Sequence, residues 1–377
     1  MSLPPASLNK RRRAGNGAAA AAACAGFSLV ELMVGLSLGM LTLLAMSQIY
    51  VAFHFQHRGT DSDIGAQTSA MNALYAIERD LLQAGHGLGD RRLLGCTGRR
   101  DGGAGLVLAP AKITAGANGA PDALQLLLGD SSAPPTALSA GLAPGGTVLA
   151  VGSTLGMRVG DTLALQQDGL PCALVRMASV DSPLQASRTV EDGNAPPSGT
   201  DAVGAGGYSA GAIAFNLGQL AQVSYALGGA MLQRTRTAYP GADPVTENIA
   251  SGIVSMRLQY GFDTRPGKQS GLEVDRWSPT MLDADRSGIS GDRGDWQRMA
   301  ALKLAVVARS PFRQAPGAGG ACSATLAANA PGWETTQADG SQSSSAISLA
   351  HVPDWQCYRY RVAETVVPLR NVLWGVP

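Results

Sequence analysis

Residues 26–53 read GFSLVELMVGLSLGMLTLLAMSQIYVAF, and the fold is decided here. From Leu32 to Phe53 run 22 residues without a charged side chain. As a helix rising 1.5 Å per residue they reach about 33 Å, enough for the roughly 30 Å hydrocarbon core of a bilayer. Lys10, Arg11, Arg12 and Arg13 precede the run, and no acidic residue occurs in the first 26. This asymmetry keeps the N-terminus in the cytoplasm and sends the C-terminal bulk across the membrane. One residue breaks the pattern: Glu31, an acid at the mouth of an apolar helix.

Three sorting signals compete for this stretch. A secretory signal would be cut after its apolar core, with Ala45-Met46-Ser47 as a small-residue site, yet the core is longer than the usual 7–15 residues. A lipid anchor on Cys24 would need an apolar stretch before it, where AGNGAAAAAA is only weakly apolar. The third reading also accounts for Glu31. Gly26-Phe27-Ser28-Leu29-Val30-Glu31, behind a basic leader and ahead of a long apolar helix, resembles the prepilin signal of type IV pilins and type II secretion pseudopilins. The resemblance implies cleavage by a prepilin peptidase after Gly26, leaving Phe27 as a methylated N-terminus. It makes Glu31 the assembly glutamate at the fifth mature position. The 26-residue leader is longer than that of many type IVa pilins.

The physics of Glu31 agrees. An acid at membrane depth costs about 2.5–3.5 kcal/mol, so it is retained with a function and a partner. In a staggered bundle the free amine of one subunit's Phe27 can meet the carboxylate of the next, pairing two charges where an unpaired one is penalised. The helix N-terminus adds a favourable field. The alternative is a glutamate that snorkels to the interface unpartnered. Gly35 and Gly39 form a small-xxx-small pair suited to close helix contact.

The chain has 377 residues and a formal charge of +1. Without the four leader cations the balance is 25 basic to 28 acidic residues, a net of −3. No basic patch survives outside the leader, so no nucleic acid is expected as a partner. Histidines stand at 54, 57, 86 and 351, none in a metal-binding H-E-x-x-H arrangement, and no cofactor is expected. Cysteines stand at 24, 96, 172, 322 and 357. Cys24 falls in the leader, and the other four, exported to an oxidising compartment, are expected to form disulfides. Three pairings are open. Cys322–Cys357, clipping a loose 311–356 segment to the next strand, and Cys96–Cys172 are the favoured ones.

Helical character continues past the membrane. Met71, Leu74, Ile77 and Leu81 form an apolar stripe facing a core, with Glu78, Arg79 and Asp80 off it. Gly85 is the expected C-cap, and Gly59 and Gly65 are places for a bend. One helix is therefore expected from about Ser28 to Ala84. Beyond residue 96 the texture becomes short β-prone runs between Gly, Pro and Ser. Expected strands include 123–128, 162–166, 172–180 and a hairpin about Gly228-Gly229. Three late runs, Ile253–Tyr260, Met299–Arg309 and Tyr358–Val366, alternate apolar with polar and read as central antiparallel strands. Stretches 98–121, 181–211, 263–295 and 311–356 read as long loops.

The late region sharpens the resemblance. Tyr260-Gly261-Phe262-Asp263-Thr264, Asp295-Trp296-Gln297-Arg298, Ala308-Arg309-Ser310 and Pro368-Leu369-Arg370-Asn371 look like the PilW family of minor pilins. So do Glu78-Arg79-Asp80-Leu81 and Gln83-Ala84-Gly85 at the helix end. These motifs are expected to serve packing rather than chemistry.

Two stretches imitate chemical sites. Gly207-Tyr208-Ser209-Ala210-Gly211 fits the G-x-S-x-G nucleophile elbow, which needs a strand before the serine and a helix after it; here a Gly-rich loop precedes and a strand follows. Asp283-x-Asp285-x-Ser287-Gly288 begins like a calcium loop, but the acid due six residues after the glycine is Gly294. Asp283, Asp285 and Asp292 remain weak calcium candidates against a solvated acidic loop.

The expected molecule is α+β and pilin-like, with a long N-terminal helix packed on an antiparallel β-sheet head with long loops. Its parts would be a cleaved leader (1–26), a transmembrane and filament-core helix (27–53), an amphipathic continuation (54–85) and a periplasmic head (86–377). As the resemblance implies, it would sit in the inner membrane and then in the pilus, priming assembly with other minor pilins and the major pilin, with no catalytic role. A type II secretion pseudopilin is the alternative within the class. A membrane-anchored hydrolase using Ser209 is the alternative outside it.

Overall fold

The protein is described by a computed structural model covering residues 28–99, 105–189, 202–239, 242–267, 271–317, 319–336 and 342–373, excepting the side chains of 51–62, 336 and 342. The chain divides into two compact units, Met1–Arg58 and Gly59–Pro377.

The first unit is the apolar part of helix α1 (Leu29–Gln83), which is continuous over 55 residues and passes Gly59 and Gly65 unbroken. Leu29–Tyr50 is long and apolar enough to cross a membrane, and none of it is buried within the protein. Its hydroxyls bond back to the helix: Ser37 Oγ donates to Val34 O, Thr42 Oγ1 to Gly39 O and Ser47 Oγ to Leu44 O. No hydroxyl of this stretch therefore faces hydrocarbon unsatisfied.

The second unit is the head. Its strands begin with β1 (Thr97–Arg99), β2 (Leu106–Val107), β3 (Ala111–Thr114), β4 (Ala123–Leu128), β5 (Thr136–Ala137) and β6 (Val148–Ala150). Next come β7 (Thr162–Gln166), β8 (Cys172–Ser182), β9 (Gln185–Arg188), β10 (Ile213–Gly218), β11 (Ala221–Leu227), β12 (Met231–Ala238) and β13 (Val245–Ser251). The last are β14 (Ile253–Phe262), β15 (Arg276–Ser278), β16 (Met299–Arg309), β17 (Gly332–Thr336), β18 (Gln342–Ala346) and β19 (Tyr360–Pro368). A one-turn helix, α2 (Arg293–Trp296), precedes β16, and another, α3 (Arg370–Leu373), follows β19.

Three larger sheets result. One runs β13-β12-β11-β4-β3, one β15-β14-β16-β19, and a third β2-β1-β8-β7-β10-β5 with β9 and β6 attached through β8. Pairing is antiparallel except β1 with β8. The first two sheets and the head part of α1 share the main core, in which Ile77, Leu81, Tyr225, Met256, Leu258 and Leu304 are sealed from solvent. The third sheet adds a second core of its own around Leu163, Leu165, Val175 and Met177.

Five expectations need correction, the first being the loops at 98–121, 181–211 and 263–295, which carry β2 and β3, β9, and β15 with α2. The buried stripe of α1 is built on Ala66, Ala70, Ala73, Ile77 and Leu81, while Met71 is 53% exposed. The alanines let the helix sit close to the sheets beside Leu74, Ile77 and Leu81, and at about 100° per residue Met71 falls on the flank of that face. Asp80 lies on the buried side, not off it. The run expected as a central strand at 358–366 is the edge strand β19. Residues 311–356 are not a loose loop: they carry the β17–β18 hairpin, and Trp333, Ile347, Leu349 and Val352 form a third core against Val254, Ala305 and Val307. That cover explains why β14 and β16 are buried on both faces.

Candidate functional site

The chain's functional elements are a helix exposing one acid and the anchorage of that helix in the head.

Glu31 is solvent-exposed in the first turn of α1. It lies along one helix face with Leu32, Gly35, Leu36, Gly39 and Met40. A Cβ at Gly35 or Gly39 would meet nothing within 4 Å, so the small-residue notch is open. Gly26 and Phe27 lie outside the described residues.

Anchorage begins with Asp63, which accepts from Arg361 Nη2 of β19 at 3.0 Å and from Arg359 Nη1, just before that strand, at 3.4 Å. The alternation of β19 thus has a purpose: its arginine face meets the helix, while Tyr360 and Val362 pack on the third core. At the other end Asp80, 3% exposed, accepts from Arg234 Nε at 2.6 Å and from the Tyr225 hydroxyl at 2.8 Å. Arg234 also bonds Glu247 at 2.8 Å. Burial and the Asp80 carboxylate push the Tyr225 phenol up, so it stays a donor. The helix then stops at Gly85, in the left-handed region (φ 75°), where a Cβ would strike Pro110 at 2.9 Å. Asn371 Nδ2 caps the open carbonyl of Ala84 at 3.0 Å. Two sequence motifs that looked unrelated, at 78–81 and 368–371, therefore close the same helix end.

A second junction joins two further motifs, 260–264 and 295–298. Tyr260 meets Trp296 edge-on, with centroids 6.2 Å apart, and its hydroxyl accepts from Ile113 N of β3. Gly261 is needed for contact: a Cβ there would sit 2.8 Å from the Trp277 ring. Asp263, fully buried, accepts from Arg265 Nε at 2.9 Å and Nη2 at 2.6 Å. Burial pushes its carboxyl up, and the Arg265 guanidinium with the Glu273 and Arg265 amides outweighs this and holds it below the usual carboxylate value. Arg298 ties the turn down by donating to Asp263 O and Arg265 O.

The acidic loop draws together Asp283, Asp285 and Asp295, not Asp292. Asp283 accepts from Ser287 N and Gly288 N, and Asp285 from Ser287 N. Asp295, fully buried, accepts from Ala284 N, Asp285 N and Gly291 N. Asp292 is the N-cap of α2, accepting from Asp295 N and the Ser287 hydroxyl. The three carboxylates of Asp283, Asp285 and Asp295 bring one oxygen each within 4.8 Å of the others while also accepting the loop's own amides. Desolvation, with the Asp292 charge behind it, pushes the Asp295 carboxyl up despite those three amides.

Ser209 sits exposed in the turn entering strand β10, its amide donating to Gln167 Oε1 at 2.8 Å. A strand follows it, so the strand–serine–helix elbow is not formed. The pairs Cys96–Cys172 and Cys322–Cys357 are both disulfide-bonded.

Residues 222–371 match the family model for PilW, Type IV Pilus-assembly protein W. Over that span the chain is similar to the PilW family of pilus-assembly proteins. The match takes in both junctions of the late strands and stops short of the third sheet, which lies before it. A type IV-like pilin from Thermus thermophilus is similar in structure at 14% identity and a TM-score of 0.24, covering 57% of this chain and 87% of that one. That likeness is too slight to bear on the reading. No curated protein matches the sequence significantly. The match, together with an apolar helix long enough to cross a membrane, supports a type IV pilus-related pilin.

Proposed function

We propose that this chain is a PilW-like pilin that primes type IV pilus assembly by joining other minor pilins, and through them the major pilin, in the inner membrane. The observation that carries the reading is one continuous helix with two surfaces. Over Leu29–Tyr50 it is apolar and uncovered on all sides but for Glu31; over Asp63–Gln83 it is a core element of the head. A prepilin peptidase cuts between Gly26 and Phe27, and the new amine of one subunit pairs with Glu31 of its neighbour. The pairing fixes the stagger of helices in a medium where neither charge is stable alone.

The test is a deletion strain complemented with wild type or with Glu31→Ala, scored for surface pili, twitching and exoprotein release. Wild type restores pili and Glu31→Ala does not. Normal piliation in the deletion strain with lost exoprotein release would replace this reading with a type II secretion pseudopilin. Intact mass from membranes with and without the peptidase checks the cleavage: a chain starting at methylated Phe27 only when the enzyme is present.

A further inference from the structure

We infer that the Cys322–Cys357 disulfide is a thiol-addressable latch on a strap, and that Cys96–Cys172 is a permanent staple. The strap consists of residues 311–317, 319–336 and 342–356, lying over the outer face of the β14–β16–β19 sheet. It has its own small core, Trp333, Ile347, Leu349 and Val352 on Val254 and Val307, separated by the sheet from the main core. Its polar ties to the sheet include His351 Nε2 to Val254 O at 2.8 Å and the Tyr360 hydroxyl donating to Trp355 O at 2.9 Å. Thr325 Oγ1 donates to Tyr358 O at 2.7 Å, the Glu334 amide reaches Glu364 Oε2 at 3.3 Å, and Lys303 Nζ stands 5.9 Å from the Trp333 ring centroid. The sheet beneath is held without the strap, because its other face belongs to the main core.

The two disulfides differ in access. Cys96 and Cys172 are 6% and 0% exposed within the main core. Cys357 is 4% exposed, but Cys322 is only half-buried, at the rim of the strap. Of the four disulfide cysteines, the half-buried Cys322 is therefore the one a dithiol reductant of the thioredoxin class meets first. Its thiolate attacks Cys322 Sγ, the S–S bond breaks, and Cys357 leaves as a thiolate that takes up a proton. The reductant's second thiol then resolves the mixed disulfide and releases Cys322 as a thiol. Two electrons pass to the cysteine pair, and the reductant leaves as a disulfide. Opening the closed span of 35 residues favours release of the strap by about 10²–10³-fold on chain entropy. Release uncovers Val254, Ala305, Val307 and Val362, an apolar sheet face in place of a closed one.

The full chain in detergent is treated with a graded dithiol, alkylated at intervals and mapped by mass spectrometry, with hydrogen exchange followed in parallel. Cys322 and Cys357 are expected to label at least about tenfold faster than Cys96 and Cys172. Exchange should rise over 319–336 and 342–352 and stay unchanged over 66–83 of α1. Simultaneous labelling of all four cysteines would overturn the inference. So would reduction of Cys322–Cys357 with no rise in strap exchange. A Cys322→Ser/Cys357→Ser chain should show the raised strap exchange without reductant; a strap as protected as wild type there would equally overturn it.

Discussion

At the scale of single residues, the informative ones are buried acids. Asp80 holds the head to α1 with one carboxylate serving Arg234 and Tyr225. Removing the acid leaves the partly buried Arg234 with Glu247 as its remaining ion-pair partner, whereas removing the phenol leaves the Asp80 pair whole. Asp80→Ala is expected to cost about 3 kcal/mol and Tyr225→Phe about 1 kcal/mol, read from urea unfolding of the full chain in detergent. Asp263 carries a pH dependence. Its folded carboxyl titrates below the ordinary value of 3.8, so as pH falls the unfolded chain takes the proton first. Its stabilisation is complete above that ordinary value and is lost as pH drops through the lower folded one. Asp295 opposes it: its raised value makes its charged form costly near neutrality and relieves that cost on acidification. Asp263→Asn should flatten the acid limb of Tm against pH below about 4, and an unchanged limb would assign that limb to other carboxylates.

At the scale of elements, α1 shows how a helix divides its faces. Ile77 is sealed and Tyr75 is 67% exposed, two residues apart. Ile77→Ala is expected to cost about 3 kcal/mol of head stability, and Tyr75→Ala to stay within about 0.5 kcal/mol. If Tyr75→Ala nonetheless impairs piliation, the exposed face acts in assembly rather than folding. The helix itself was legible, ends included, because period, length and the Gly85 stop are local signals. The side it buries was read correctly through Leu74, Ile77 and Leu81, with Met71 the one member of the stripe left exposed. Alanines 66, 70 and 73 complete that side, since close approach of helix to sheet favours small side chains along the contact line.

At the scale of the whole molecule, the third sheet is tied in through Cys96–Cys172, which links the segment after α1 to β8 across 76 residues. Replacing both cysteines by serine is expected to lower head stability by about 4 kcal/mol, with the loss seen first as hydrogen exchange in β1 and β8. What the sequence determined alone was whatever depends on neighbours along the chain. That includes the apolar helix and its lone acid, the head's antiparallel strands, and the failure of Ser209 to meet its strand–turn–helix requirement. What only the tertiary structure decided was which distant residues meet. Asp80 found Arg234 across 154 positions, Asp295 rather than Asp292 joined Asp283 and Asp285, and the 311–356 segment became a covering layer. The physical reason is one of range. Periodicity and capping are set within a few residues, whereas burying an acid or an apolar hairpin depends on surfaces that exist only once the sheets have formed.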